Sequence, residues 1–183
     1  MPISADCTFT LPALSDDCFL SIGSMITKVH FTAPNSGFAS VTNLETSGSW
    51  ADRLSQTGAV TGIPATEPIR TLEVMNMPFA AAEVASVQLE GGRRTNIGLP
   101  QYVLTFDAHN ITSETIAMVQ ATQQKGDAVY TVWLVTDDKY VYGGKDGLQA
   151  TIQFNPADNS GVLSLKGTVS FRSYMPDINK YPL

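Results

Sequence analysis

The chain has 183 residues, enough for one domain with a real core. Only 15% of them are charged and the formal net charge is -6, against roughly 25% charged residues in an ordinary soluble domain. That balance argues against a nucleic-acid-gripping role, which needs a basic stripe. It leaves a surface of Ser, Thr, Asn, Gln and Gly that suits contact with neighbouring subunits.

The opening MPISADCTFT has neither a basic n-region nor an apolar h-region, so no secretion signal is expected. No stretch reaches the roughly 18 apolar residues of a membrane span. Cys7 and Cys18 are the two cysteines. A pair between them is one possibility, and free buried thiols are the expectation for a chain without a signal. Two cysteines and two histidines spread along the chain do not form a zinc pattern.

Ser24 to Thr32 reads as a strand, with Met25, Thr27, Val29 and Phe31 on one face and Ile26, Lys28 and His30 on the other. His30 is therefore expected on a solvent or interface face. From about 35 to 68 the chain turns rich in Gly, Ser, Thr and Ala, with scattered Phe38, Leu44, Trp50 and Leu54. A loop of that length in a compact domain is functional or disordered. Trp50 is costly to leave in water. The expectation is a long arm whose apolar residues lie on a neighbouring subunit.

Met75, Met77 and Phe79 alternate as in a strand and give a smooth apolar surface for a core or an interface. Arg93 and Arg94, after Gly91 and Gly92, make the strongest basic spot. They are expected in a turn, as solvated or intersubunit arginines. Gln101 to Asp107 is a strand with Tyr102, Leu104 and Phe106 on one face. A helix is predicted over about 112–125, capped by Thr112 or Ser113 and ended by Lys125-Gly126. Its apolar stripe is narrow, which fits packing on the flank of a sheet.

Val129 to Val135 wants burial on both faces, so it belongs in the centre of a sheet or under an outer cover. Leu148 to Phe154 alternates, NPADNSG reads as a turn, and Val162 to Tyr174 alternates again. Leu163, Leu165, Val169 and Phe171 are expected inward, and Ser164, Lys166, Thr168, Ser170 and Arg172 outward. The whole is a single mainly β domain over 1–183. Its strands are expected to be antiparallel, with one flanking helix at about 112–125 and the long loop at 35–68.

Between these strands, Asp137-Asp138 and Gly143-Gly144-Lys145-Asp146-Gly147 fall where turns are needed, and Asp and Gly are preferred there for local reasons. No spacing matches a calcium loop. The chain lacks a GxSxG elbow, an HExxH pair and the glycine-rich phosphate signatures. Asp107, His109 and Glu114 gather at a strand-to-helix junction, where capping or a surface role is the expectation over general-base chemistry. No catalytic, cofactor or metal site is predicted.

YVLTFDAHNI leading into a helix, YTVWLVTDDKYVYGG, LQATIQF and GVLSLKGTVSFRSYMP, after the long loop, resemble in order the second half of phage tail tube proteins. The resemblance implies an antiparallel β-sandwich or partly closed barrel with a flanking helix, in a non-enzymatic virion protein assembled in the host cytoplasm into hexameric rings that stack into a tail tube. Partners would be further copies and other virion proteins, with DNA passing unbound and no membrane involved. Phe38, Leu44, Trp50, Leu54, Met75, Met77, Phe79, Arg93 and Arg94 are the interface candidates. Head-completion, tail terminator and decoration proteins are related alternatives. A binding module for carbohydrate or a cell-surface partner is another, with Trp50, Tyr140 and Tyr142 as its aromatic candidates.

Overall fold

The computed structural model describes residues 25–55, 68–79, 81–88, 92, 94–96, 98–108, 120, 128–159, 162–174 and 176–183, without side chains for 94 and 155–164. The strands are β1 (Met25–Thr32), β2 (Arg70–Pro78), β3 (Ser86–Gln88), β4 (Arg94–Asn96), β5 (Gln101–Ala108), β6 (Val129–Thr136), β7 (Tyr140–Tyr142), β8 (Leu148–Asn159), β9 (Val162–Arg172) and β10 (Ile178–Lys180). Two short helices, α1 (Val41–Leu44) and α2 (Ser47–Ser55), lie between β1 and β2. Apart from Gln120, which is helical, the expected helix at 112–125 lies outside the described residues, as do His109, Glu114, Cys7, Cys18 and Arg93.

The protein is mainly β, and six antiparallel strands close into a barrel in the order β1-β2-β5-β9-β8-β6, with β6 returning to β1. Closure removes the exposed edges that an open sheet would present. The interior is filled by alternate side chains of every strand, among them Val29, Leu104, Phe106, Val132, Leu134, Ile152, Val169 and Phe171. Tyr102 stacks on Phe171 at 4.9 Å, and Phe106 meets Phe154 edge-on at 5.8 Å. Gly167 lies beneath Phe106, and a Cβ there would collide with that ring. A small residue opposite a large one is how a narrow barrel is filled.

Two irregularities re-aim side chains. A β-bulge between Ile26 and Lys28 shifts the register of β1 against both β2 and β6. It lets Ile26 share the interior with Val29 and Phe31. His30 stays on the opposite, outer side, as its alternation with them requires, but is buried there rather than solvated. In β2, Asn76 adopts φ 55, so Met77 is buried in the barrel while Met75 is 52% exposed. The expected common face for Met75 and Met77 is therefore corrected.

The hairpin β8–β9 is longer than the sequence suggests. Its ladder runs without a break from Ala150↔Phe171 to Asn159↔Val162, so Asn155 to Asn159 are strand and not turn. Pro156 is tolerated because no described strand pairs with the other edge of β8 beyond Thr151.

Candidate functional site

The outer face of β1 and β6 carries His30, Trp133 and Val135, and none of the three reaches solvent. What covers them is the segment expected to reach a neighbouring subunit. Ser40 caps α1 by accepting from the Asn43 backbone N–H, and α2 places Trp50, Arg53 and Leu54 on one face at i, i+3 and i+4 spacing. Phe38, Leu44 and Trp50 join Ile69, Trp133, Val135, Val141 and Tyr181 in a second core, with Leu54 half-buried at its margin. Trp50 meets Trp133 edge-on at 5.7 Å, and its indole N–H donates to Leu44 O at 2.6 Å.

Phe38, Leu44, Trp50 and Met77 are thus interior side chains, which corrects their reading as interface residues. The physical reason is that Trp133, on an outward-facing register of β6, needs an apolar cover, and the nearest segment supplies it. Phe79 is half-buried, stacked on Tyr142 at 4.7 Å. Met75 stays exposed, and Arg94 lies in the hairpin β3–β4 opposite Gln88.

His30 sits at the centre of the second core. Nδ1 is bonded to Thr71 Oγ1 at 2.8 Å and Nε2 to the Tyr181 hydroxyl at 2.9 Å. In a neutral ring one of these nitrogens donates and the other accepts, so the imidazole is satisfied without a charge. Burial, with a smaller push from the Lys28 ammonium, pulls its pKa from 6.5 down to about 3. Burial raises the Tyr181 hydroxyl to about 12. Both groups therefore stay neutral across the physiological range, and neither meets solvent as an acid or base must. Arg53 is also buried; it donates to Ser36 O at 2.8 Å and Gly37 O at 3.0 Å, with its guanidinium 4.8 Å from the Phe38 ring centroid. The cation holds the segment's entry in place.

The glycine-rich run 143–147 is a bulge rather than a hairpin turn. β6 pairs with β7 through Leu134↔Tyr142 and then with β8 through Val132↔Leu148, so the residues between loop out opposite Trp133. The Trp133 indole N–H donates to Gly144 O at 2.9 Å. Gly147 has φ 67, and a Cβ there would strike Thr131 and the Trp133 ring. Phe38 N donates to Lys145 O at 2.6 Å, hooking the covering segment onto the bulge. The bulge lines an open groove of about 570 Å³ with Pro176 to Asn179 of the C-terminal strap. Lys145 pairs with its own neighbour Asp146 at 2.6 Å, and Asp137 and Asp138 are exposed turn residues. Asp107 accepts from Asn76 Nδ2 at 3.2 Å. No group of three or more His, Cys, Asp or Glu that could hold a metal occurs among the described residues, and no helix among them is long and apolar enough to cross a membrane.

A broad uncovered surface lies on another side of the barrel. The outer faces of β5, β9, β8 and the start of β6 form one sheet face. One cross-strand row is Val103, Ser170, Thr151 and Val129, and the next is Thr105, Thr168 and Gln153. Thr151 and Ser170 share a hydrogen bond of 2.6 Å across the strands. Among the described side chains of this face, charges appear at the margins, with Arg172 opposite Gln101 at one end and Lys166 opposite Asp107 at the other. Comparison with protein-family models, with curated proteins and with solved structures gives no match to this chain.

Proposed function

We propose that this chain is a non-enzymatic structural subunit of a virion, self-assembling into the rings of a phage tail tube. The observation that carries the reading is the uncharged outer sheet face of β5, β9, β8 and β6. An exposed sheet in a soluble monomer ordinarily carries charges that keep it soluble and discourage pairing. Here two consecutive rows present only hydroxyl, amide and valine side chains. A wall of that kind wets well yet offers no ammonium or guanidinium for a phosphate backbone to release its counterions against. The net charge of -6 acts in the same sense, repelling the polyanion from the wall.

The carbohydrate-module alternative keeps one of its three aromatic candidates, the half-buried Tyr140. Trp50 is fully enclosed and Tyr142 is buried, so neither offers a flat exposed ring to a sugar. Light scattering across concentration, with negative-stain images of the same sample, tests the proposal. Rings or tubes are the expected result. A strict monomer at high concentration would overturn it.

A further inference from the structure

Asp146 is the one aspartate of the chain that is followed by glycine, and no asparagine is. At every other aspartate, a side chain on the next residue crowds the amide nitrogen beside the carboxyl. After Asp107 and Asp177 that next residue is also fixed in a strand pairing, at Ala108 and Ile178. Asp146 instead sits in the turn from Gly144 to Gly147, within the bulge. Its side chain is 77% exposed. The turn is closed by Gly147 N donating to Gly144 O at 3.4 Å, a long and therefore weak bond.

A third group stands at the same carboxyl. Lys145 Nζ lies 2.6 Å from Asp146 Oδ1, so an ammonium proton already rests on that oxygen. An exposed carboxyl, a following amide nitrogen with no Cβ beside it, and an acid on the leaving oxygen are what ring closure between residues 146 and 147 needs.

We propose that Asp146 is a site of spontaneous isomerisation to isoaspartate, with Lys145 as the proton donor. The Gly147 nitrogen forms a bond to Asp146 Cγ, and Oδ1 leaves as water, taking the amide proton and one proton from Lys145. Solvent water then opens the five-membered succinimide. Addition at the γ carbonyl restores aspartate. Addition at the α carbonyl breaks its bond to the Gly147 nitrogen and leaves isoaspartate. The new carboxyl returns a proton to Lys145 and the amide nitrogen regains its own. One water is lost and one is gained, and the product has the mass of the starting chain.

The product's main chain runs through Cβ and Cγ and is one carbon longer, with both ends of the longer link already fixed. Lys145 O accepts from Phe38 N at 2.6 Å, and Gly147 packs against Thr131 and the Trp133 ring. The extra carbon therefore strains the hook on the covering segment and the Trp133 indole bond to Gly144 O. The modification loosens the second core from outside, and it does so whether or not the chain assembles.

The test keeps wild type, D146E, K145R and K145Q warm for several weeks in mildly acidic buffer. Isoaspartate is located by peptide mapping, mass spectrometry and labelling with an isoaspartyl methyltransferase, with a free peptide of residues 141–150 as the positive control. Both side chains are exposed, so the fresh proteins should melt alike. Wild type is expected to accumulate isoaspartate at residue 146, and the isomerised fraction to melt lower with altered tryptophan fluorescence. D146E keeps the carboxylate but needs a six-membered ring, which closes far more slowly, so the isomer should be lost. K145R keeps a cation at the carboxylate, yet a guanidinium does not give up its proton, so its yield should fall with that of K145Q. A wild type without isoaspartate at residue 146, beside a peptide that forms it, would overturn the site. Unchanged yields in K145R and K145Q would overturn the role of Lys145, and isomerised protein that melts like fresh protein would overturn the loosening.

Discussion

His30 shows how a residue that looks like a site becomes a structural element. Its two hydrogen bonds are satisfied in the neutral ring, burial disfavours the charged one, and its folded pKa of about 3 lies below the 6.5 of the unfolded chain. Between those values the unfolded state binds the extra proton. Stability from this residue is therefore whole above about pH 6.5 and falls as the pH drops toward 3, by at most about 1.4 kcal/mol per pH unit. Urea titrations from pH 8 to pH 4 should show His30→Gln losing stability less steeply with acid than the wild type. Parallel curves for the two proteins would mean that His30 is not the group that titrates. Tyr181→Phe leaves one imidazole nitrogen without its partner and should cost about 1–3 kcal/mol at neutral pH. Trp50→Ala empties the middle of the second core, and a loss of about 3–5 kcal/mol is expected in thermal or urea unfolding. A Trp50→Ala protein with wild-type stability and no assembly would instead restore the residue to an interface.

At the scale of elements, the bulge at 143–147 does what a regular β7–β8 strand would not. It opens room for the Trp133 indole on the outer face of β6 and gives the covering segment a carbonyl to bond. Gly147 combines φ 67 with close contacts, whereas Gly98, at φ 81, has open space around it. Alanine at Gly98 carries only the left-handed backbone cost, about 1–2 kcal/mol. Alanine at Gly147 adds overpacking worth about 1–3 kcal/mol more. Melting temperatures of the two variants should separate in that order, and equal losses would argue against the Trp133 contact as the constraint. The same element logic applies to α1 and α2. Deleting residues 47–62 removes α2 with Trp50, and should expose Trp133 and His30 and unfold the chain.

For the whole molecule, the prediction concerns the uncharged wall. Converting Thr105, Thr168 and Gln153 together to Lys places three ammonium groups on one exposed row. Surface changes of this kind alter stability by about 0.5 kcal/mol or less each. On the proposed tube reading, the assembled variant should retain duplex DNA in a salt-dependent way where the wild type should let it pass. Rings that no longer form, at unchanged monomer stability, would show that this face is a contact and not a wall.

Alternation in Gln101 to Asp107, Val129 to Val135, Leu148 to Phe154 and Leu165 to Arg172 was enough to place those strands, their inward faces and the mainly β class. That follows because a period of two is imposed by the backbone itself and survives any tertiary arrangement. Both faces of β6 were also readable as buried, since Trp133 alternates with Val132 and Leu134. Three features depended on long-range contact. Whether the sheet closes is settled by β1 pairing with β6, about a hundred residues away along the chain. The bulges in β1 and β2, which bring Ile26 onto the face of Val29 and split Met75 from Met77, arise from matching neighbouring strands and leave no mark in one strand's own pattern. The helices in the loop had their signals in Ser40 and in the Trp50–Leu54 spacing, but Gly48 and the serines lowered their intrinsic propensity. They form because packing against Trp133 supplies what propensity lacks. That energy exists only once the barrel has brought its outer face to them.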